Sequence, residues 1–362
     1  MILRSLRATL RFLPHAMSLV AAVGWGISVG MGDRALWSQF VAYVPLAVWV
    51  CLACAGALCS WFVPRRHPCR PEAARPRRRP SLHLVLALML LAHQALDWRL
   101  LSIITATPAP FDRPVRVLSW NPAWERLAGF DERVVEQRPD IFVATTPHYT
   151  ADFGALRSKL SDTTFAFRSP TFAVVSVFPV IRSGWVSLDT PPPAFRPSWI
   201  PKGAVSSSGG EAAFVEIDTT SRLGRPTVIW CVDLPSDPFT HRREVVRQAL
   251  ASIHTFRGPV QHRKPDGTDN PGEPAPFPDP DMIVGDFNTP RGSGALREWG
   301  SAMRNAYDDA GIGPAGTFPA RWGILHIDHQ LLGPHVRAVG YDVIDLGGGR
   351  HAAVLTRIAP AR

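Results

Sequence analysis

The stretch DMIVGDFNTP, Asp281 to Pro290, decides how the rest of the chain is read. An apolar run, Met282 to Val284, carries Asp286 and Asn288 to its C-terminal end. The pattern predicts a buried strand that delivers two polar side chains to a sheet edge. Residues two apart on a strand share a face, so both can address one bound group. A carboxylate holds a metal or orients a water, and an amide binds a phosphate oxygen. The same spacing equally suits a plain strand end, where Asp and Asn cap a turn.

Charge then divides the chain. The 362 residues leave room for a membrane anchor plus one large domain. The formal charge is +9, and all of it lies in the first 80 residues, where 11 Arg face only Asp33 and Glu72. Residues 81–362 hold 28 basic and 28 acidic side chains. A balanced domain has no net field to steer a polyanion, so nucleic acid is not the expected partner.

Three apolar stretches lie in the basic part, and they predict transmembrane helices over about 12–31, 39–63 and 81–101. A span needs roughly 20 apolar residues. The first stretch contains Gly24, Gly26 and Gly30, which membrane helices tolerate. The third holds His83, His93 and Gln94 and is followed by Asp97 and Arg99. It spans if those charges sit at the interface, where Arg can snorkel; otherwise it is a buried soluble helix. Arg4, Arg7 and Arg11 precede the first helix, and Arg65, Arg66, Arg70, Arg75, Arg77, Arg78 and Arg79 follow the second. The positive-inside rule makes both segments cytoplasmic. Three spans then put the chain after about residue 105 outside the cytoplasm, and two would leave it inside. The expected partner of residues 1–104 is therefore the lipid bilayer. The Arg-rich connection reads as a topology signal, with anionic headgroups or nucleic acid as the alternative ligand. Cys51, Cys54 and Cys59 fall inside the second apolar stretch, where small packing residues are the plainer reading of Cys-x-x-Cys. Cys231 is alone after residue 105, so that domain has no internal disulfide.

Pro108, Pro110 and Pro114 mark a linker, 105–112, into a domain over 113–362. VRVLSWN (115–121), DIFVATT (140–146), AAFVEID (212–218), TVIWCVDL (227–234), HIDHQLL (326–332) and AAVLTRI (352–358) read as strands. TFAVVSVFPVIR (171–182) reads as one long strand or a hairpin. Asp131–Gln137, Arg242–Phe256 and about Ser293–Trp299 read as helices. Residues 257–280, rich in Pro, Gly and Asp, read as a surface loop with neither pattern. Many strands with a few helices between them suggest an α/β sandwich of packed sheets covered by helices.

In this order the segments resemble the endonuclease/exonuclease/phosphatase family, over about residues 113–360. VRVLSWN is similar to its opening strand, RPDIFVATT falls at the place of its second strand, FAVVSVFPV is similar to a further stretch of its pattern, MIVGDFNTP to its most specific motif and HIDHQLL to a later strand, and RHAAVL falls where a Ser-Asp-His triplet begins its last strand. The resemblance implies a four-layered α/β sandwich and a phosphoesterase that uses magnesium or manganese. It implies that Asp286 orients or deprotonates the water and helps hold metal, and that Asn288 contacts the phosphate. His351 with Asp328 would support the pentacovalent phosphorus, and Asn121 would hold Asp286 or the phosphate. The anchor resembles that of a membrane-bound subgroup.

The chain also departs from the family. The family's second strand ends in Gln-Glu, where this chain has Thr145-Thr146; a His position is Asp233; the Asp before the last His is Arg350. A carboxylate that often follows the first Asn is replaced by Pro122-Ala123. Asp233 and Glu125 are the candidate replacements for the lost ligands, and Asp233 and Arg350 are candidate contacts to substrate. Arg350 either binds phosphate as a fork or points to solvent. Three function classes follow. One is a phosphoesterase for an extracytoplasmic phosphate ester, small or lipid-linked. Another is a catalytically impaired phosphate-binding relative. The last is a structural membrane protein without a phosphate site.

Overall fold

The computed structural model describes residues 2–62, 81–105, 111–125, 129–148, 151, 153–161, 164–189, 191, 209–263 and 269–361. The Arg-rich connection and much of the Pro-rich linker lie outside these. The chain divides into two compact units, Met1–Ile104 and Thr105–Arg362.

The first unit is helical: α1 (Ile2–Gly30), α2 (Leu36–Ala42), α3 (Leu46–Phe62) and α4 (Leu82–Asp97), with the short α5 (Ser102–Thr105) after it. Ala21, Trp49, Val50, Ala53, Ala87 and Leu90 form its interior. Polar pairs cross between α1 and α4: His83 Nδ1 lies 2.8 Å from Ser18 Oγ, and Trp25 Nε1 donates to His93 Nδ1 at 2.8 Å. The helix expected over 39–63 is instead two helices bent by 69°. The break falls at Pro45, which has no N–H for the helical ladder and pushes Val44 away from helical torsions. Phe12–Gly30 is long and apolar enough to cross a membrane by itself; α2 and α3 meet that test only together, as one bent span. The third apolar helix is 16 residues long and stops at Asp97, short of the expected 101.

Among the described residues, the second unit holds fourteen strands in two sheets. They are β1 (Val115–Trp120), β2 (Ile141–Thr145), β3 (Phe165–Arg168), β4 (Phe172–Ser176), β5 (Val180–Ser187), β6 (Glu211–Ile217) and β7 (Thr227–Asp233). After these come β8 (Pro259–Arg263), β9 (Asp269–Pro274), β10 (Met282–Asp286), β11 (Arg304–Asn305), β12 (Asp328–Leu332), β13 (Val336–Ile344) and β14 (Ala353–Pro360). One sheet runs β13-β14-β1-β2-β4-β3, and the other β11-β12-β10-β7-β6-β5-β8-β9.

Strand alternation builds the layers. Val117, Val143, Val215, Ile229, Val284 and Val354 meet between the sheets. The opposite faces are also apolar. Leu118, Phe142 and Leu355 pack on Val134 of α6 (Phe130–Glu136) and Leu156 of α7 (Phe153–Leu160). Trp230, Ile283 and Leu331 pack on Val245, Val246, Ala249 and Ile253 of the Arg242–Thr255 helix. Each sheet is thus apolar on both faces and must be covered twice, which gives helix, sheet, sheet and helix layers.

Three segments differ from expectation. Thr171–Arg182 is neither one strand nor a hairpin: β4 and β5 belong to different sheets, and Val177–Pro179 carries the chain across. Residues 257–280 are not an irregular loop, because β8 pairs with β5 and β9 pairs with β8 at the sheet's edge. Pro is tolerated at such an edge, where N–H groups need no partner strand. The helix expected over Ser293–Trp299 is a 3-10 helix, Gly294–Trp299.

Candidate active site

Four strands of the larger sheet end in a row of acids. Glu211 on β6 pairs with Asp233 on β7. Asp233 pairs with Asp286 on β10, and Asp286 pairs with Asp328 on β12. Paired residues share a face, and this face is the one turned toward the other sheet, because Ala213, Cys231 and Val284, each two residues from its acid, belong to the intersheet core. Glu211, Asp286 and Asp328 are buried, and Asp233 is half-buried.

The smaller sheet supplies the opposite wall. Asn121 directly follows β1, and its Nδ2 donates to Asp286 Oδ2 at 2.9 Å. The Asn288 N–H donates to the other oxygen, Oδ1, at 2.8 Å. Asn288 takes a left-handed φ of 47°, and its Nδ2 donates to the Leu234 carbonyl at 2.7 Å. His351, just before β14, places Nδ1 2.8 Å from Asp328 Oδ2 and Nε2 3.9 Å from Asp286 Oδ2. The Trp120 indole N–H donates to the His351 carbonyl at 3.0 Å. Gln330 ties the sheets together below the site, its Nε2 donating to Ser119 Oγ at 3.0 Å and the Val354 carbonyl at 2.9 Å.

The electrostatics follow from burial. Burial, reinforced by the Asp328 charge, raises the Asp286 carboxyl to about 7, although His351, the Asn288 N–H and Asn121 favour its ionised form. Burial and the Asp286 charge push Asp233 well up. Burial works against charge on His351, yet Asp328, Asp286 and Asp233 outweigh it and raise the imidazole to about 9. At neutral pH the site pairs a carboxyl balanced between its two forms with a fixed imidazolium.

The sequence pattern of the Endonuclease/Exonuclease/phosphatase family matches residues 43–356. The chain belongs to this family. No curated protein matches the sequence. Among solved structures, a functionally unknown conserved protein from Enterococcus faecalis is similar, with 13% identity and a TM-score of 0.45, covering 68% of this chain and 99% of that one. So is a mannosyl-6-phosphatase from Bacteroides thetaiotaomicron, with 13% identity and a TM-score of 0.45 over 67% of this chain and 99% of that one. TDP2 of D. rerio, complexed with single strand DNA product, shows 10% identity and a TM-score of 0.44 over 68% and 99%.

For a member of the endonuclease/exonuclease/phosphatase family the substituted positions have definite places. Asn121, Asp286, Asn288, Asp328 and His351 converge, and Asp233 lies beside Asp286. Thr146, where the family carries Glu, is buried and donates its hydroxyl to Asn121 Oδ1 at 2.5 Å. Arg350 is largely exposed, with Nε 3.5 Å from the Glu125 carboxylate. Glu125 therefore answers Arg350 and makes no described contact with the acidic row. Asp286, Asp328 and His351 each offer a ligand atom, all within 4.8 Å of one another. Hard oxygens with one imidazole suit a divalent cation, so the donor set fits the family's metal in kind.

Two residues escaped the sequence reading. Glu211 opens a strand like many surface acids, and only the β6–β7 register puts it in the row. Arg242 looked like the polar start of a helix, yet it is buried. Its guanidinium donates to the Pro235 carbonyl at 2.6 Å and the Phe287 carbonyl at 3.0 Å. It thereby holds the loop after Asp233 against the loop after Asp286.

Proposed function

We propose that this chain is a divalent-metal-dependent phosphoester hydrolase, held at a membrane by its N-terminal helices, with its substrate on the extracytoplasmic side. One observation carries the reading: Asp233, Asp286 and Asp328 stand side by side, with Asn121 and His351 closing on Asp286. Adjacent buried carboxylates repel one another and are costly without compensation. Such an arrangement suits a site that receives a cation and an electron-rich phosphate in turn.

Magnesium or manganese would be held by Asp286 and Asp328, with Asp233 as a further ligand, which leaves the His351 imidazolium free of the metal. When bound, such an ion polarises the phosphoryl oxygen and lowers the pKa of a water. The chain's own groups do the rest. Asp286 accepts the proton of the attacking water, since its pKa lies near neutrality. The imidazolium of His351, kept charged by Asp328, faces the negative charge that gathers on phosphorus. Asn288 lies beside Asp286 to contact the phosphate. The balanced charge of residues 81–362 favours a small or lipid-linked phosphate ester over nucleic acid.

A second reading rests on Thr146. A hydroxyl stands where the family has a metal-binding carboxylate, which describes a phosphate binder with little turnover. Arg350 at the site's edge would then be its anion contact. The two readings part on one assay of the full chain in detergent micelles, with bis-p-nitrophenyl phosphate and p-nitrophenyl phosphate, in magnesium, manganese or chelator. The hydrolase reading expects turnover that needs metal and is lost in Asp286→Ala. Phosphate-analogue binding with no turnover above that variant supports the second reading.

A further inference from the structure

The amide of Asn121 has a donor end and an acceptor end, and only one orientation serves Asp286. With Nδ2 toward Asp286 the contact is a hydrogen bond of 2.9 Å. Turned over, the amide would set Oδ1 against a carboxylate oxygen inside a buried site, where such repulsion is costly. Two donors oppose the turn by binding Oδ1: the Ala123 N–H at 2.8 Å and the Thr146 hydroxyl at 2.5 Å.

Both donors sit on strained backbone. Ala123 has a φ of 53° and Thr146 a φ of 44°. For a β-branched residue that region is a genuine outlier, held only where the surroundings over-determine it. The surroundings here are specific. The Thr146 N–H donates to the Thr171 carbonyl at 2.7 Å, and the Thr146 carbonyl accepts from the Trp124 N–H at 2.8 Å. Thr171 is fixed in turn by Glu211. The Thr171 N–H and hydroxyl donate to the two Glu211 oxygens at 3.3 and 3.2 Å, and the Ser169 hydroxyl donates to the same carboxylate. Glu211 is the terminal member of the acidic row. A continuous path therefore runs from Glu211 through Thr171, Thr146 and Asn121 to Asp286, the row's third member.

The geometry points to Thr146, anchored through Thr171 by Glu211, as a positioning residue that sets the orientation of the Asn121 amide and so the placement of Asp286. It touches no reacting atom; it acts through Asn121. The position where the family has a metal-ligand Glu is thus occupied by a hydroxyl that orients the site instead. The inference rests on the hydrolase reading for its effect on rate, but not for its effect on Asn121.

The test is a double-mutant cycle on the full chain in micelles, with bis-p-nitrophenyl phosphate and magnesium. Thr146→Val keeps the shape and removes the hydroxyl. It should lower kcat about tenfold or more, as a misplaced group does, with KM changed less than about twofold. Thr146→Ser should restore kcat to within about threefold of wild type. Glu211→Gln should fall between the two. If Thr146 acts through Asn121, adding Thr146→Val to Asn121→Ala should cause no further loss. Independently of turnover, the Asn121 side-chain amide resonances, identified by their loss in Asn121→Ala, should shift in Thr146→Val and stay in Thr146→Ser. Losses that multiply, or amide resonances unmoved in Thr146→Val, would overturn the inference. Wild-type turnover no higher than that of Asp286→Ala would contradict only the hydrolase reading, and the amide resonances would then decide this one.

Discussion

Asp286 and His351 are set apart by their surroundings: one carboxyl raised to about 7 and one imidazole raised to about 9. A base must be deprotonated, so activity should rise as pH passes through about 7. An imidazolium must keep its proton, so activity should fall as pH passes about 9. The profile of kcat/KM against pH should be a bell between these limbs. More divalent cation should move the rising limb to lower pH, because a bound cation favours the ionised carboxylate. Asp328→Asn removes the charge that sustains the imidazolium, so it should move the falling limb down. A falling limb that stays in place would remove His351 from the role assigned to it. At this scale the sequence was informative where a residue ends an apolar run: Asp286, Asn121 and Asp233 each follow one. It was silent on Glu211, and it marked Thr146 only as a substitution, because the contacts of both depend on partners far along the chain. Arg350 lies beside Glu125, 225 positions earlier in the sequence, and no local pattern carries that contact.

The elements that hold the site are joined by a buried cation. Arg242 begins the helix Arg242–Thr255, and its guanidinium bridges the loops that follow β7 and β10. Arg242→Lys should cost roughly 2 kcal/mol or more, because an ammonium cannot serve both carbonyls as a fork and leaves one buried acceptor unmet. Urea denaturation measures the cost. Turnover should fall alongside, since Asp233 and Asp286 lose their common brace. Stability within about 0.5 kcal/mol of wild type would show that the brace is dispensable. Alternation and periodicity exposed most of the strands and the long helix, because these elements bury one or both faces. The pair β8–β9 stayed hidden, since its residues are rich in Pro and Gly and its strand character comes from pairing with the edge strand β5. The crossing of β4 and β5 between sheets is likewise a matter of long-range pairing. The split of the second apolar stretch was signalled by Pro45, which the apolar run around it masked.

For the whole molecule, the question is where the two units lie relative to a bilayer. Phe12–Gly30 has the length and apolarity to cross, and α2 with α3 does so only as a bent pair. The third apolar helix has 16 residues, about 24 Å at 1.5 Å per residue, against a hydrocarbon core of about 30 Å. It crosses if Trp98 and Arg99 extend into the interface, as such residues do in membrane proteins. By the positive-inside rule, three crossings would put the second unit outside. A reporter enzyme that folds only outside the cytoplasm, fused after Arg362, should then be active. Activity only from a cytoplasmic reporter would mean an even number of crossings and a cytoplasmic substrate.

The central claim is that the carboxylate row and His351 form a working phosphoesterase site. Its most direct test is hydrolysis of a phosphodiester and a phosphomonoester by the full chain in micelles, with magnesium, with manganese and with chelator, beside Asp286→Ala. The account predicts turnover that appears with metal, vanishes with chelator and is lost by at least about a hundredfold in Asp286→Ala. Equal rates for the folded wild type and Asp286→Ala under every condition would contradict it.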